Sequence, residues 1–202
     1  MTTIHQTFRL AMHSTRKWHR RRTPARGASM GIKAGWQGRF FEDFEVGDLY
    51  RHPLGRTVTE NDNTWFALLT MNTNQMHFNS AYAARSEFEK PLVVSTLTVA
   101  IAVGQSVTDI TQNAFANLGW DEIRMTHPVF AGDTLFSESL VLEKRESASR
   151  PHAGIVTVRT RTLNQDGDEV CSFKRTFYVY KRGAEQLEGI FPEAKHPLSL
   201  ED

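Results

Sequence analysis

Hydrophobic and polar positions divide the chain into segments of different period. Thr134 to Glu143, Gly154 to Leu163 and Glu169 to Tyr180 are rich in β-branched and aromatic residues and predict three strands. Asn164-Gln165-Asp166-Gly167 joins the last two, and an Asp-Gly pair between such runs is a strong hairpin signal. Ser95 to Val107 is apolar around so much of its circumference that it predicts a helix buried nearly all round; the run is too long for an ordinary strand. Upstream, Phe40 to Asp48 predicts a first strand and a turn, and Gly55 to Thr59 a short β piece. Thr59 then caps a helix that carries Glu60 and Asp62 in its first turn and Trp65, Phe66, Leu68 and Leu69 on its apolar side. Thr70 to Ser80 is polar and turn-like, and a second short helix, Ala81 to Phe88, is stopped by Pro91. One almost wholly apolar helix with long antiparallel strands predicts an α+β fold, a sheet wrapped around a central helix. Such a sheet must cover its outer face or an edge, and dimerisation is the simple way.

Composition narrows this picture and charge divides it. The chain has 202 residues, enough for one ordinary domain. Its longest apolar run, Leu97 to Val103 with Thr98 inside it, is too short to span a bilayer. A single cysteine, Cys171, excludes an internal disulfide and a cysteine-based zinc cluster, and a reducing compartment follows. The net charge of +1 joins unlike parts: residues 1–41 hold nine Lys/Arg and no acid, so the remainder holds 15 basic and 23 acidic residues, a balance of −8. Residues 1–35 are therefore read as a basic N-terminal extension, 36–182 as the domain and 183–202 as a C-terminal tail. Ile4, Phe8 and Met12 would line one face of a short helix in the extension. An Arg-rich, acid-free segment is open to three readings: a presequence, which would place the protein in the mitochondrial matrix rather than the cytoplasm; an unfolded extension without a role, or one added by a start codon upstream of Met30; or, last, a nucleic-acid arm.

The chemistry concentrates in Met71-Asn72-Thr73-Asn74-Gln75-Met76-His77, with Ala83 six residues further on. Here the chain resembles the MaoC-like, R-specific enoyl-CoA hydratases of the hot-dog fold, whose motif reads Gly-Asp-x-Asn-Pro-x-His. The resemblance extends over most of residues 38–182, through Gly55 to Glu60, Lys90-Pro91-Leu92, Pro128 to Leu135 and Glu143 to Ser147. It implies a single hot-dog domain, reversible addition of water to an enoyl-CoA, no cofactor beyond the CoA of the substrate and no metal. By position His77 takes the acid/base role, Asn74 a place in the substrate-binding loop, and the backbone N–H of Ser95 or Thr96 the role of oxyanion donor. A homodimer or a larger assembly of dimers is implied as well, with no nucleic-acid or membrane partner.

One departure matters. Asn72 stands where the family carries Asp, and an amide cannot act as a base; it can orient a water or bind a substrate oxygen. Either His77 performs both proton transfers and Asn72 positions the water, or the site binds acyl-CoA without chemistry. Removing a negative charge would suit a substrate that brings its own carboxylate. The Asn-Thr-Asn-Gln-Met-His-Phe-Asn variant and Asn117 to Glu122 are also similar to the itaconyl-CoA and mesaconyl-CoA hydratases, which implies a short dicarboxylic acyl group; thioester hydrolysis is the other enzymatic alternative. Asn72 and Asn74 are equally turn formers, and Ser95 equally a helix N-cap. His52, His127 and His152 lack metal-ligand spacing and are read as structural or exposed.

Overall fold

Thr59 opens the first helix as the sequence predicts. In the computed structural model, which describes residue 33, residues 35–184 and residues 192, 194–196 and 198, helix α1 spans Glu60–Leu69. Thr59 Oγ1 accepts from the Asp62 N–H at 3.2 Å, and Asp62 Oδ2 accepts from the Thr59 N–H at 2.8 Å, a reciprocal capping box. These bonds, with Arg56 beside the carboxylate, hold Asp62 below the ordinary carboxylate range.

Strands β1 (Leu49–Arg51), β2 (Arg56–Thr57), β3 (Ala114–Met125), β4 (Thr134–Glu146), β5 (Ala153–Leu163) and β6 (Glu169–Tyr180) form one antiparallel sheet. Its order is β1-β4-β5-β6-β3, with β2 pairing on β4. The β5–β6 hairpin turns at Asp166-Gly167: Gly167 adopts φ +89°, and Asn164 Oδ1 accepts from the Asp166 and Asp168 N–H groups. Helix α3 (Ser95–Ser106) packs on β4 and β5, and its Ala102 sits with Cys171 and Phe173 of β6. A larger cluster further along the sheet gathers Phe44, Val141, Val156, Val158, Phe177 and Val179. Full burial of such side chains stabilises by about 1.5–3 kcal/mol each. The sheet-around-a-helix expectation holds, and residues 35–184 lie within one compact unit. The basic extension and most of the tail lie outside the described residues.

Five local expectations change. Phe40 to Asp48 contains a 3₁₀ turn, Phe41–Asp43, rather than a strand. Phe41 and Phe44, three apart, both enter the core, where strand alternation would have turned one outward. The Phe41 ring lies so close to Gly154 that any Cβ there would collide with it. On α1 the buried positions are Asn63 and Ala67, whereas Trp65, Leu68 and Leu69 are exposed. Small Ala67 lets the helix lie close to its neighbours. The second helix, α2, covers only Ser80–Ala83. Its propagation meets Ser86, whose hydroxyl donates to Ala83 O and accepts from the Phe88 N–H, a local competitor for the backbone.

Helix α3 is not buried all round: Thr96, Ala100 and Gly104 are exposed along one face. Beyond Ser106 it continues as a π-helical turn, Val107–Thr111. Finally, β3 was hidden from periodicity. It is an end strand with three register shifts against β6, with Gly119 inside it and Glu122 at φ +53°. Bulges of this kind break the alternation by which a strand is recognised.

Candidate active site

Asn63 organises the site from within α1. It is 3% exposed, and its amide is fully used: Nδ2 donates to His77 O at 2.7 Å and to Leu92 O at 2.8 Å, while Oδ1 accepts from the Val94 N–H at 2.8 Å. One side chain thereby ties α1 to the His77 turn and to the start of α3. Sequence reasoning passed over it. The available signal was a polar amide at a helix position facing the same way as Ala67.

His77 ends a 3₁₀ turn, Gln75–His77. Asn74 caps that turn, its Oδ1 accepting from the Met76 N–H at 3.1 Å. The His77 Nδ1 lies 2.9 Å from Leu92 O. A carbonyl oxygen only accepts, so Nδ1 carries the proton and the neutral ring keeps its lone pair on Nε2. In that tautomer Nε2 is free to accept a proton.

A cavity of about 250 Å³ opens beside His77, with Ser95, Thr98 and His127 in its walls and Phe88, Leu92 and Met125 among its apolar lining. A second, smaller cavity touches His77 from another side and reaches Glu60 and Lys90. Ser95 is the first residue of α3, and the N-cap is Val94, whose side chain makes no capping bond. The Ser95 and Thr96 N–H groups therefore meet no acceptor among the described residues. Free N–H groups at a helix start, with the dipole behind them, favour negative charge.

The structure brings His77 and Ser95 to one cavity and leaves Asn72, Asn74 and Thr96 out of its lining. Asn72 is half-buried; its Oδ1 accepts from the Asn74 N–H at 3.1 Å, and its Nδ2 makes no hydrogen bond among the described residues. Asn74 is exposed, and Thr96 is exposed at the helix start. His127 is exposed within the cavity wall, a placement that its sequence neighbours did not reveal. His52 is the structural histidine expected: it is buried, with Nδ1 2.9 Å from Asp109 Oδ2 and Nε2 3.0 Å from Ser139 Oγ. Burial pushes its pKa below the ordinary histidine value, although the bond to Asp109 opposes the shift. Among the described residues no three His, Cys, Asp or Glu side chains gather as metal ligands, and no helix is long and apolar enough to cross a membrane.

The chain is similar to known proteins. A family model described as mesaconyl-CoA hydratase matches residues 31–196. A mesaconyl-CoA hydratase of Cereibacter sphaeroides is 37% identical over 145 residues, which are 72% of this chain and 42% of that protein. A β-methylmalyl-CoA dehydratase of Chloroflexus aurantiacus is 31% identical over 167 residues, 82% of this chain and 47% of that protein. The crystal structure of a MaoC-like dehydratase from Rhodospirillum rubrum superposes with a TM-score of 0.64 at 30% identity, covering 72% of this chain and 99% of that one. The chain spans about half the length of the two curated relatives. With the matched profile running through α1, the His77 turn, α3 and the whole sheet, the chain belongs to the mesaconyl-CoA hydratase family of MaoC-like hot-dog proteins.

Proposed function

We propose that this chain is a hydro-lyase that adds water across the double bond of an enoyl-CoA thioester, with a short dicarboxylic acyl group such as mesaconyl or itaconyl. The observation that carries the proposal is the pairing, in one cavity, of a base-competent His77 tautomer with the uncapped start of α3.

The chemistry follows from those two elements. The acyl group lies in the cavity with its thioester oxygen at the Ser95 N–H, beside that of Thr96. His77 Nε2 takes a proton from a water as its oxygen bonds to the β-carbon. The double-bond electrons move onto the thioester, and the resulting oxyanion is held by the helix start. When the thioester reforms, the α-carbon takes the proton from His77, and the ring returns to its starting state. The free Nδ2 of Asn72 donates to the water or to a substrate oxygen, and Asn74 holds the loop. The names of the Cereibacter and Chloroflexus relatives support an unsaturated or hydroxylated dicarboxylic substrate.

Non-catalytic acyl-CoA binding is favoured by one observation, the absence of Asn72 from the cavity lining. Purified protein supplied with mesaconyl-CoA, itaconyl-CoA and crotonyl-CoA decides between them. Hydration is expected, with the dicarboxylic thioesters turned over faster. Release of free CoA without hydration would make the protein a thioesterase, and binding without turnover a binder. In the latter case Asn72→Asp would create activity from nothing.

The working unit is proposed to be a homodimer or an assembly of dimers. Its supports are the exposed Trp65, Leu68, Leu69 and Met71 around α1, the end position of β3 in the sheet, and relatives about twice as long.

A further inference from the structure

The cavity at His77 holds a second imidazole that the hydration scheme does not use. Among the described residues its lining contains no Lys, Arg, Asp or Glu, and His77 and His127 are its only ionisable side chains. The remainder is apolar apart from Ser95, Thr98 and Thr126. Lys90 and Glu60 belong to the neighbouring cavity, where the Lys90 ammonium lies 3.9 Å above the Phe130 ring, and Ser95 is not part of that wall. Among the described residues of that lining, the imidazoles are therefore the only side chains that can carry positive charge towards an acyl group whose thioester sits at Ser95.

Thr98 adds an independent observation. It is 1% exposed, lines the same cavity, and its hydroxyl makes no hydrogen bond among the described residues. A threonine inside a helix ordinarily returns its hydroxyl to a carbonyl of the preceding turn. An orphaned hydroxyl in an otherwise well-satisfied structure calls for a partner from outside the chain. Side chains on a helix lean towards its N-terminus, which brings Thr98 over the first turn of α3, next to the free N–H groups.

We propose that His127 and Thr98 form the subsite for a second carboxylate on the acyl group. His127, bound as imidazolium, is the counter-ion, and the Thr98 hydroxyl donates to the same carboxylate. His77 cannot serve both purposes, because a base that holds a carboxylate as imidazolium has no lone pair for water. The subsite rests on the hydratase reading only in placing the thioester at Ser95; what it recognises is a dicarboxylic thioester, whether or not turnover follows.

Succinyl-CoA and butyryl-CoA test this by titration calorimetry on the full chain. Both are saturated four-carbon thioesters, one with a terminal carboxylate and one without. Wild type is expected to bind succinyl-CoA more tightly. His127→Ala should weaken succinyl-CoA roughly tenfold, the scale of one charge-assisted hydrogen bond, and leave butyryl-CoA within about twofold. Thr98→Val, which keeps the shape and removes the hydroxyl, should weaken succinyl-CoA by about three- to fivefold. Equal losses for both ligands, or no loss in His127→Ala, would overturn the subsite. His127 is exposed, so its variant keeps the fold even if Thr98→Val does not. Hydration of mesaconyl-CoA is followed in parallel. A selective loss of succinyl-CoA binding without wild-type turnover would uphold the subsite and remove the hydratase assignment; turnover with unselective binding would do the reverse.

Discussion

The two ends of α3 are built on opposite principles. At its start, backbone donors are left without acceptors, no side chain caps the helix, and a cavity opens beside a histidine held by only one ring nitrogen. At its far end, polar groups are buried and mostly spent on one another. Arg175, 1% exposed, donates to Ser106 Oγ at 2.9 Å; Gln105 donates to Leu54 O and Leu135 O and accepts from Ser137; His52 is bonded through both nitrogens. One end is left unsatisfied and reachable, which a substrate can exploit. The other is closed, which fixes the helix in the sheet. A histidine's role here follows from how many of its nitrogens the protein has already used, more than from whether it is buried.

Substitutions that exchange the properties of the two ends should separate activity from stability. The largest effect is expected for His77→Ala: kcat should fall by about 10²–10⁴, the usual worth of a general acid–base group, while acyl-CoA binding measured by calorimetry stays within a few-fold. Asn63→Ala should damage both properties, because it removes three hydrogen bonds that align His77 with α3. A stability loss of about 2–3 kcal/mol by urea unfolding is expected, with a lower kcat in the fraction that remains folded.

A pH titration of stability sharpens the contrast. Desolvation lowers the His52 pKa in the folded state, so below the ordinary value of 6.5 the unfolded chain takes up a proton that the native state refuses. Stability should therefore fall as pH drops through that value, and His52→Gln should flatten the slope of Tm against pH. The smallest effect is expected at Arg175. Burial lowers its pKa to about 10, and among the described residues its Nε has no partner and no carboxylate pairs with it. Arg175→Met should leave stability within about 1 kcal/mol of wild type, since a buried cation is commonly replaceable by an apolar side chain. A large loss in urea unfolding would mean that the closed end depends on that charge.

Much of the frame was legible in the sequence because each signal was local. Thr59 with Asp62, Asp166 with Gly167, and the β-branched runs of β4 to β6 announce themselves within a few residues. What escaped depended on distant partners. Phe41 is buried against Gly154, more than a hundred residues away, and so forms a turn where its neighbours suggested a strand. Trp65 and Leu68 match a buried helix face by composition, yet the single chain places Asn63 and Ala67 there. At the site, the motif located His77 but gave no hint of Asn63 or His127, which reach it from α1 and from the segment after β3. Nor could it tell that Asn72 and Asn74 spend their carbonyl oxygens on the loop itself.

The Leu92 carbonyl, which accepts from both Asn63 and His77, carries an evolutionary consequence. Because the group that sets the His77 tautomer belongs to the main chain, no substitution of the residue 92 side chain can delete it. A carboxylate partner could be lost in a single codon change; a peptide carbonyl could not. The lineage can thus vary the wall of this cavity at position 92 while the tautomer of His77 is inherited with the backbone.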